Sequence, residues 1–186
     1  LNAEATLPAT LESLGSVRSI VVDGGSVDGT KALALAAEVK FVTAPRGRGQ
    51  QLGAGAEVAL ADGARWLLFL HADTVLEDGW LKEAEAFVSD PAQANNAAVF
   101  AFKVDDDRTA ARRLERLVAW RTGALALPYG DQGLLISGGF YQSLGGYRPL
   151  ELMEDVDLMR RIGGKRLHVF KATAMTSAHK FRQAGY

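Results

Sequence analysis

Short apolar runs separated by polar, glycine-rich breaks repeat along this chain. Ser19 to Val22, Lys40 to Thr43, Trp66 to Leu70, Ala97 to Val104, Leu134 to Ser137 and Arg166 to Phe170 are brief, rich in β-branched or bulky apolar residues, and bounded by turn formers. That pattern predicts buried strands. Between them, apolar residues recur at helical spacing. Leu7, Leu11 and Leu14 form one such set, with Pro8 tolerable in a first turn. Further helices are predicted over Gly29 to Glu38, Gln50 to Ala61, Gly79 to Ser89, Thr109 to Leu127 and Asp155 to Ile162. Strand, loop and helix in alternation predict an α/β fold, a mostly parallel sheet flanked by helices. In such sheets ligands sit beyond the carboxyl ends of the strands. Three polar clusters fall there: Asp23 to Asp28, His71 to Asp73, and Gly130 to Gln132.

Composition narrows the classes. The 186 residues suffice for one domain with a full core. Twenty-one basic against 22 acidic residues leave net charge −1, which argues against nucleic acid or a membrane surface as the main partner. Cysteine is absent, so thiolate metal sites and cysteine nucleophiles are excluded. Such a chain suits a reducing compartment. No apolar run approaches the ~20 residues of a membrane helix, and no signal peptide is visible. A cytoplasmic setting is therefore expected. Both ends read as cut in mid-pattern, so the chain is expected to be a piece of a longer one. The 20 glycines concentrate in loops at Gly24-Gly25, Gly47-Gly49, Gly138-Gly139 and Gly145-Gly146.

Each cluster admits two readings. Asp23-Gly-Gly-Ser-Val-Asp28-Gly-Thr offers carboxylates to a base N–H or a ribose hydroxyl; equally, Ser26 or Asp28 would cap the next helix. Arg46-Gly-Arg48-Gly before a helix start suits phosphate, or is a solvated basic loop. Asp73, with His71 two residues before it, could hold Mg²⁺ or Mn²⁺ against a diphosphate, the imidazole favouring Mn²⁺; the alternative is a turn-capping Asp. Glu151, Glu154, Asp155 and Asp157 crowd one stretch, which either raises a carboxyl pKa for general-base work or caps a helix. His168 reads as structural, and His179 as a residue without a role. The arginines Arg108, Arg112, Arg113, Arg116 and Arg121 lie on one long helix, as a solvated face or a contact for anionic lipid.

Taken in order, Val21 to Thr30, the basic glycine loop, Leu68 to Thr74, Gly138-Gly139-Phe140, Gly145-Gly146-Tyr147 and Met153 to Leu158 resemble the family 2 glycosyltransferases of the GT-A fold. The resemblance spans Asn2 to about His179. It implies a Rossmann-like sheet whose first strand is missing from this chain. It also implies a donor half over residues 1–105 and an acceptor and catalytic half over 106–186. Carried over by position, Asn2, Glu4, Asp23, Ser26 and Asp28 would bind the nucleotide, and Arg46 and Arg48 the diphosphate. Asp73 with His71 would hold the divalent metal, Mg or Mn. Asp155 would be the base, tuned by Glu154, and Gly138, Gly139 and Phe140 would line the acceptor side. His71 stands where the family has the first Asp of its metal motif, and Gly24 where a second acidic residue is common. Tyr129-Gly130-Asp131-Gln132 and the Ser177 to Phe181 end resemble a small bacterial subgroup of single-domain members.

The implied activity is inverting transfer from a nucleotide-diphosphate sugar to an acceptor hydroxyl on a lipid, glycan or small molecule. No nucleic-acid partner is expected. Peripheral membrane contact, at the inner face, and a homo-oligomer are left open. The alternatives are a sugar-nucleotide nucleotidyltransferase, or a nucleotide-binding domain whose site has decayed.

Overall fold

A computed structural model describes residues 1–125, 127–128, 130–150 and 152–178. Tyr129, Glu151 and His179 lie outside the described residues. In chain order the elements are α1 (Leu7–Leu14), β1 (Ile20–Asp23), α2 (Thr30–Ala36), β2 (Lys40–Thr43), α3 (Arg48–Ala61), β3 (Trp66–Phe69), β4 (Thr74–Leu76), α4 (Trp80–Ser89), β5 (Ala97–Val104), α5 (Thr109–Leu125), β6 (Leu134–Ser137), α6 (Gly138–Ser143), α7 (Glu154–Ile162) and β7 (Leu167–Thr176). Short 3₁₀ turns over Pro91–Asn95, Gly130–Gln132 and Gly164–Arg166 complete the list.

The α/β fold is as expected, but its strand directions are more mixed. β1 and β2 pair in parallel as a two-stranded sheet. The other five strands form a second sheet in the order β3-β6-β5-β7-β4. There β5 and β7 run parallel, whereas β3–β6, β5–β6 and β4–β7 are antiparallel. The expectation of a mostly parallel sheet is corrected accordingly. Apolar patterning reports burial, not direction; direction depends on the end at which each connection returns. Helix α3 lies against β1, β2 and β3 and so covers both sheets.

The five-stranded sheet shows why its strands are so apolar. Leu67, Val99, Leu134 and Ile136 face one layer with Phe140, Tyr141, Leu158, Met159 and Ile162. Leu76, Ala98, Phe100, Leu135 and Ala174 face the other, against Trp80, Ala84 and Phe87 of α4. Successive residues Leu134, Leu135 and Ile136 thus alternate between two cores, as pleating requires. Each fully buried large side chain contributes about 1.5–3 kcal/mol. His168, exposed on β7, packs edge-on against Phe87.

Three elements differ from the sequence reading. β4 is only three residues long, too brief for a period to show. α6 begins on two glycines, poor helix formers, and forms because Ser137 caps it by accepting the Phe140 N–H. β7 continues to Thr176 because it pairs with both β5 and β4. No helix among the described residues is long and apolar enough to cross a membrane.

Candidate active site

The residues with chemical potential gather in two neighbouring patches near the end of β3. The first is the chain start clasped to the β1–α2 loop. Asn2 N–H donates to Ser26 Oγ, and Val27 N–H donates back to Asn2 Oδ1. Glu4 N–H donates to Asp28 Oδ2, and Gly29 N–H to Glu4 Oε2. Asp28 Oδ1 also receives the N–H and hydroxyl of Thr30 at the start of α2. Asp23, 6% exposed, accepts from Gly25 N–H, Ser26 N–H and the Ser26 hydroxyl. Burial alone would raise the Asp23 carboxyl. The Ser26 hydroxyl and the two N–H groups outweigh it and hold the pKa below the ordinary value. Asp28 is likewise lowered, chiefly by the Thr30 hydroxyl. Asn2, Glu4, Ser26 and Asp28 therefore brace one another here. Asp23 has used three of about four lone-pair positions.

A link runs from this patch to the metal candidates. Thr6 Oγ1 donates to the Ala72 carbonyl at 2.8 Å. His71, Ala72 and Asp73 form a turn, closed by Thr74 N–H to the His71 carbonyl and by Ser177 N–H to the Asp73 carbonyl. One imidazole and one carboxylate thus lie on a fixed stretch of backbone. Among the described residues no group of three His, Asp or Glu side chains is placed to hold a metal by itself. The pair suits a hard divalent ion that takes its remaining ligands from phosphate and water.

The second patch centres on Asp155, 9% exposed, at the start of α7. Its Oδ2 accepts the Gly130 N–H at 2.9 Å and its Oδ1 the Val156 N–H at 2.7 Å. Gly130 lies between His71 and Asp155: a Cβ there would sit 2.7 Å from His71 Nε2 and 3.8 Å from Asp155 Oδ2. His71, Gly130, Tyr147, Asp155 and Met159 line one small pocket. Helix α7 holds the acid in place through Val156, Leu158, Met159 and Ile162, all buried. Its acidic first turn and its last-turn Arg160 and Arg161 both suit the helix dipole. Met153, just before it, takes a left-handed φ of 66°, which sets the angle at which the helix enters. Glu154, 3% exposed, faces the basic loop: a Cβ on Gly49 would lie 3.4 Å from Glu154 Cβ and 2.2 Å from the Arg148 carbonyl oxygen. Only glycine lets α3 start so close to the Arg148 carbonyl and Glu154, and Arg48 at its first position is exposed. Arg46 stays exposed in the same loop.

The turn Gly130–Gln132 is pinned from below. Gln132, 1% exposed, accepts from Thr122 Oγ1 and donates to the Phe100 carbonyl. Asp131 beside it is mostly buried, and its Oδ1 has no hydrogen-bond partner. Burial raises its carboxyl pKa; Arg121 and Arg48 pull it down, while Asp155 pushes it further up. Burial also raises the Tyr147 phenol, with Tyr141, Asp155 and Glu154 adding to the shift, so that it stays a donor at neutral pH. The sequence flags Asp131 within the Gly130 to Gln132 cluster and Tyr147 within the Gly145-Gly146-Tyr147 run, but assigns neither a role.

Gly138, Gly139 and Phe140 are not brought to this site. Register pairs Phe69 with Leu134 and Trp66 with Ser137, which puts these three at the opposite end of β3. Gly138 packs against Leu60 and the Ala64 and Arg65 carbonyls, and Phe140 is 3% exposed in the core. Their expected place on the acceptor side is corrected for that reason. The arginine set of α5 is also mostly spent: Arg108 pairs with Asp106, Arg112 with Asp107 and Glu115, and Arg121 donates to the Leu127 carbonyl.

The sequence and the fold match known proteins. A family model described as glycosyl transferase family 2 matches residues 1–144. The chain belongs to that family. A search of curated protein sequences finds no match. Among solved structures it is similar to S. aureus TarS in complex with UDP-GlcNAc, with TM-score 0.68 and 16% identity over 100% of this chain and 59% of that one. It is similar to GalNAc-T7 with UDP, GalNAc and Mn²⁺, with TM-score 0.67 and 16% identity over 92% and 41%. The third is Mycobacterium tuberculosis glucosyl-3-phosphoglycerate synthase with Mn²⁺ and UDP-glucose, with TM-score 0.61 and 18% identity over 95% and 66%. These likenesses place the family 2 chain on the GT-A fold. It spans less than two thirds of the length of TarS and of GalNAc-T7.

Proposed function

We propose that this chain is the catalytic part of an inverting glycosyltransferase that uses a nucleotide-diphosphate sugar. The observation that carries the reading is the seat of Asp155. A buried carboxylate, held by one N–H on each oxygen, shares a pocket with His71 and neighbours the basic loop. Each oxygen keeps a lone pair for an incoming proton. Asp155 would take the proton of an acceptor hydroxyl while that oxygen attacks the anomeric carbon. The bond from that carbon to the diphosphate breaks, and the nucleoside diphosphate leaves. A single displacement inverts the stereochemistry.

The braced loop from Asn2 to Thr30 would carry the nucleoside, Asp23 accepting a base N–H on its remaining lone pair. Arg48, with Arg46, would meet the departing phosphates. A bound divalent ion supplies further positive charge there. Asp73 and His71 are the residues that would hold it, Mn²⁺ suiting the imidazole better than Mg²⁺. Glu154 lies against Gly49 and would keep the basic loop and the base in register. Residues 1–105 would serve the donor, and 106–186 the acceptor and the base. The setting would be cytoplasmic. On α5, exposed Leu117 and Trp120 beside exposed Arg113 and Arg116 support contact with a membrane face or a second copy.

The test is a panel of nucleotide sugars with Mn²⁺ or Mg²⁺ and an acceptor library, with products identified. Release of nucleoside diphosphate, abolished by chelation, is expected. Pyrophosphate exchange instead would identify a nucleotidyltransferase and overturn the reading.

A further inference from the structure

The arginines of α5 divide in the folded chain. Arg108, Arg112 and Arg121 turn to partners of their own: Asp106, Asp107 with Glu115, and the Leu127 carbonyl. Arg113 and Arg116 are exposed, and neither forms an ion pair among the described residues. Arg116 donates its Nε–H to the Arg112 carbonyl, which leaves the rest of its guanidinium to solvent. At about 3.6 residues per turn, Arg113, Arg116, Leu117, Trp120, Gly123 and Ala124 share roughly a third of the helix surface. All six are exposed. Ala111, Val118 and Thr122 lie on the opposite side, buried.

Two large apolar side chains stand in water on this stripe. Leu117 is 58% exposed and Trp120 60%, and their spacing makes them neighbours on the helix surface. Adjoining exposed apolar groups of this size mark a contact surface. Charge decides what it contacts. The stripe carries two cations and no acid. A two-fold contact between copies sets the same patch against itself. It would bring two guanidinium groups from each copy together with no carboxylate to answer them. An anionic lipid surface supplies the missing complement. Headgroup phosphates would meet Arg113 and Arg116, while Leu117 and the Trp120 indole would enter the headgroup–acyl boundary. The chain as a whole carries net charge −1, so attraction to such a surface has to come from a local patch like this one.

We propose that the face of α5 carrying Arg113, Arg116, Leu117 and Trp120 docks on an anionic lipid surface. Docking there is independent of sugar transfer and of the residues around Asp155.

The experiment adds the chain to vesicles of phosphatidylcholine alone, or of phosphatidylcholine with an equal part of phosphatidylglycerol. Flotation measures the bound fraction, and tryptophan emission follows the indole. Trp66 packs on Phe87 and Trp80 is 6% exposed, so Trp120 is the ring whose surroundings change. Wild type should float with the mixed vesicles only, with a blue shift in emission, and should be released by high salt. Arg113→Glu with Arg116→Glu, and separately Trp120→Ser, should each weaken binding by about tenfold or more at unchanged melting temperature. Trp120→Phe should keep most of the binding and lose the blue shift. No flotation with the mixed vesicles overturns the proposal. So does equal flotation with phosphatidylcholine alone, and so does full binding in both the charge-reversed and the Trp120→Ser chains. A wild-type dimer in sedimentation equilibrium that Leu117→Ser with Trp120→Ser dissolves would assign the face to a second copy and overturn it as well.

Discussion

The two carboxylate patches of this molecule are built on opposite terms. Around Asp23 and Asp28, nearly every acceptor has a donor from its own loop, and both acids sit below their ordinary pKa. Around Asp155 and Asp131, acids are buried together, one oxygen goes without a donor, and the Asp131 pKa rises. In sequence both looked like ligand-binding acids. In the folded chain the first patch is braced by its own hydrogen bonds, and the second keeps buried carboxylates with fewer donors. What separates them is the side-chain donor: each acid accepts two backbone N–H groups, but Asp23 and Asp28 add the Ser26 and Thr30 hydroxyls, whereas Asp155 has only the N–H groups of Gly130 and Val156.

The largest expected effect lies in the second patch. Asp155→Asn should lower the transfer rate by about 10²–10⁴-fold, with circular dichroism and melting temperature close to wild type. A variant that folds and transfers at near wild-type rate would end the assignment of the base.

Next comes the seam between the patches. Gly49→Ala should destabilise by about 1–3 kcal/mol in chemical denaturation, because its Cβ would run into the Arg148 carbonyl, which is backbone and cannot step aside. It should also weaken activity by shifting the basic loop away from Glu154.

Within the first patch, Ser26→Ala should cost about 1–2 kcal/mol of stability by removing a hydrogen bond to a charged carboxylate, with little loss in turnover at saturating donor. Its pH dependence sharpens the contrast. The folded pKa of Asp23 is depressed, so its stabilisation is present above about pH 4 and lost as pH falls through the folded value. Ser26→Ala shrinks that window, and acid unfolding should begin at higher pH. Asp131 has the opposite sign: its raised pKa makes folding less favourable as pH climbs from about 4 through the folded value. If Asp131→Asn steepens acid sensitivity instead of relieving the loss on the alkaline side, the contrast between the patches fails.

The smallest effect is a control on the same helix as Gly49. Gly53→Ala meets nothing nearer than the Tyr147 carbonyl at 3.9 Å. It should leave activity alone and stabilise by about 0.5–1 kcal/mol, since alanine loses less entropy in a helix.

Much of the fold could be read along the chain because apolar period survives folding: the runs at Val21, Leu68, Val99 and Leu135 became strands, and the helices between them formed where spacing indicated. His71, Asp73 and Asp155 were legible as candidates because polar residues at strand ends and acids before a helix are local patterns. Sequence alone therefore determined the α/β class and the core, and singled out Asp155 as the candidate base. Tertiary structure decided the rest. Strand direction follows from which end a connection returns to, so β6 reversed without any mark in its residues. The same reversal carried Gly138, Gly139 and Phe140 away from the site. The unpaired oxygen of Asp131 and its raised pKa exist only because folding buries the turn that Gln132 pins. A carboxylate's solvation and partners are set by residues distant in the chain, and no local pattern encodes them.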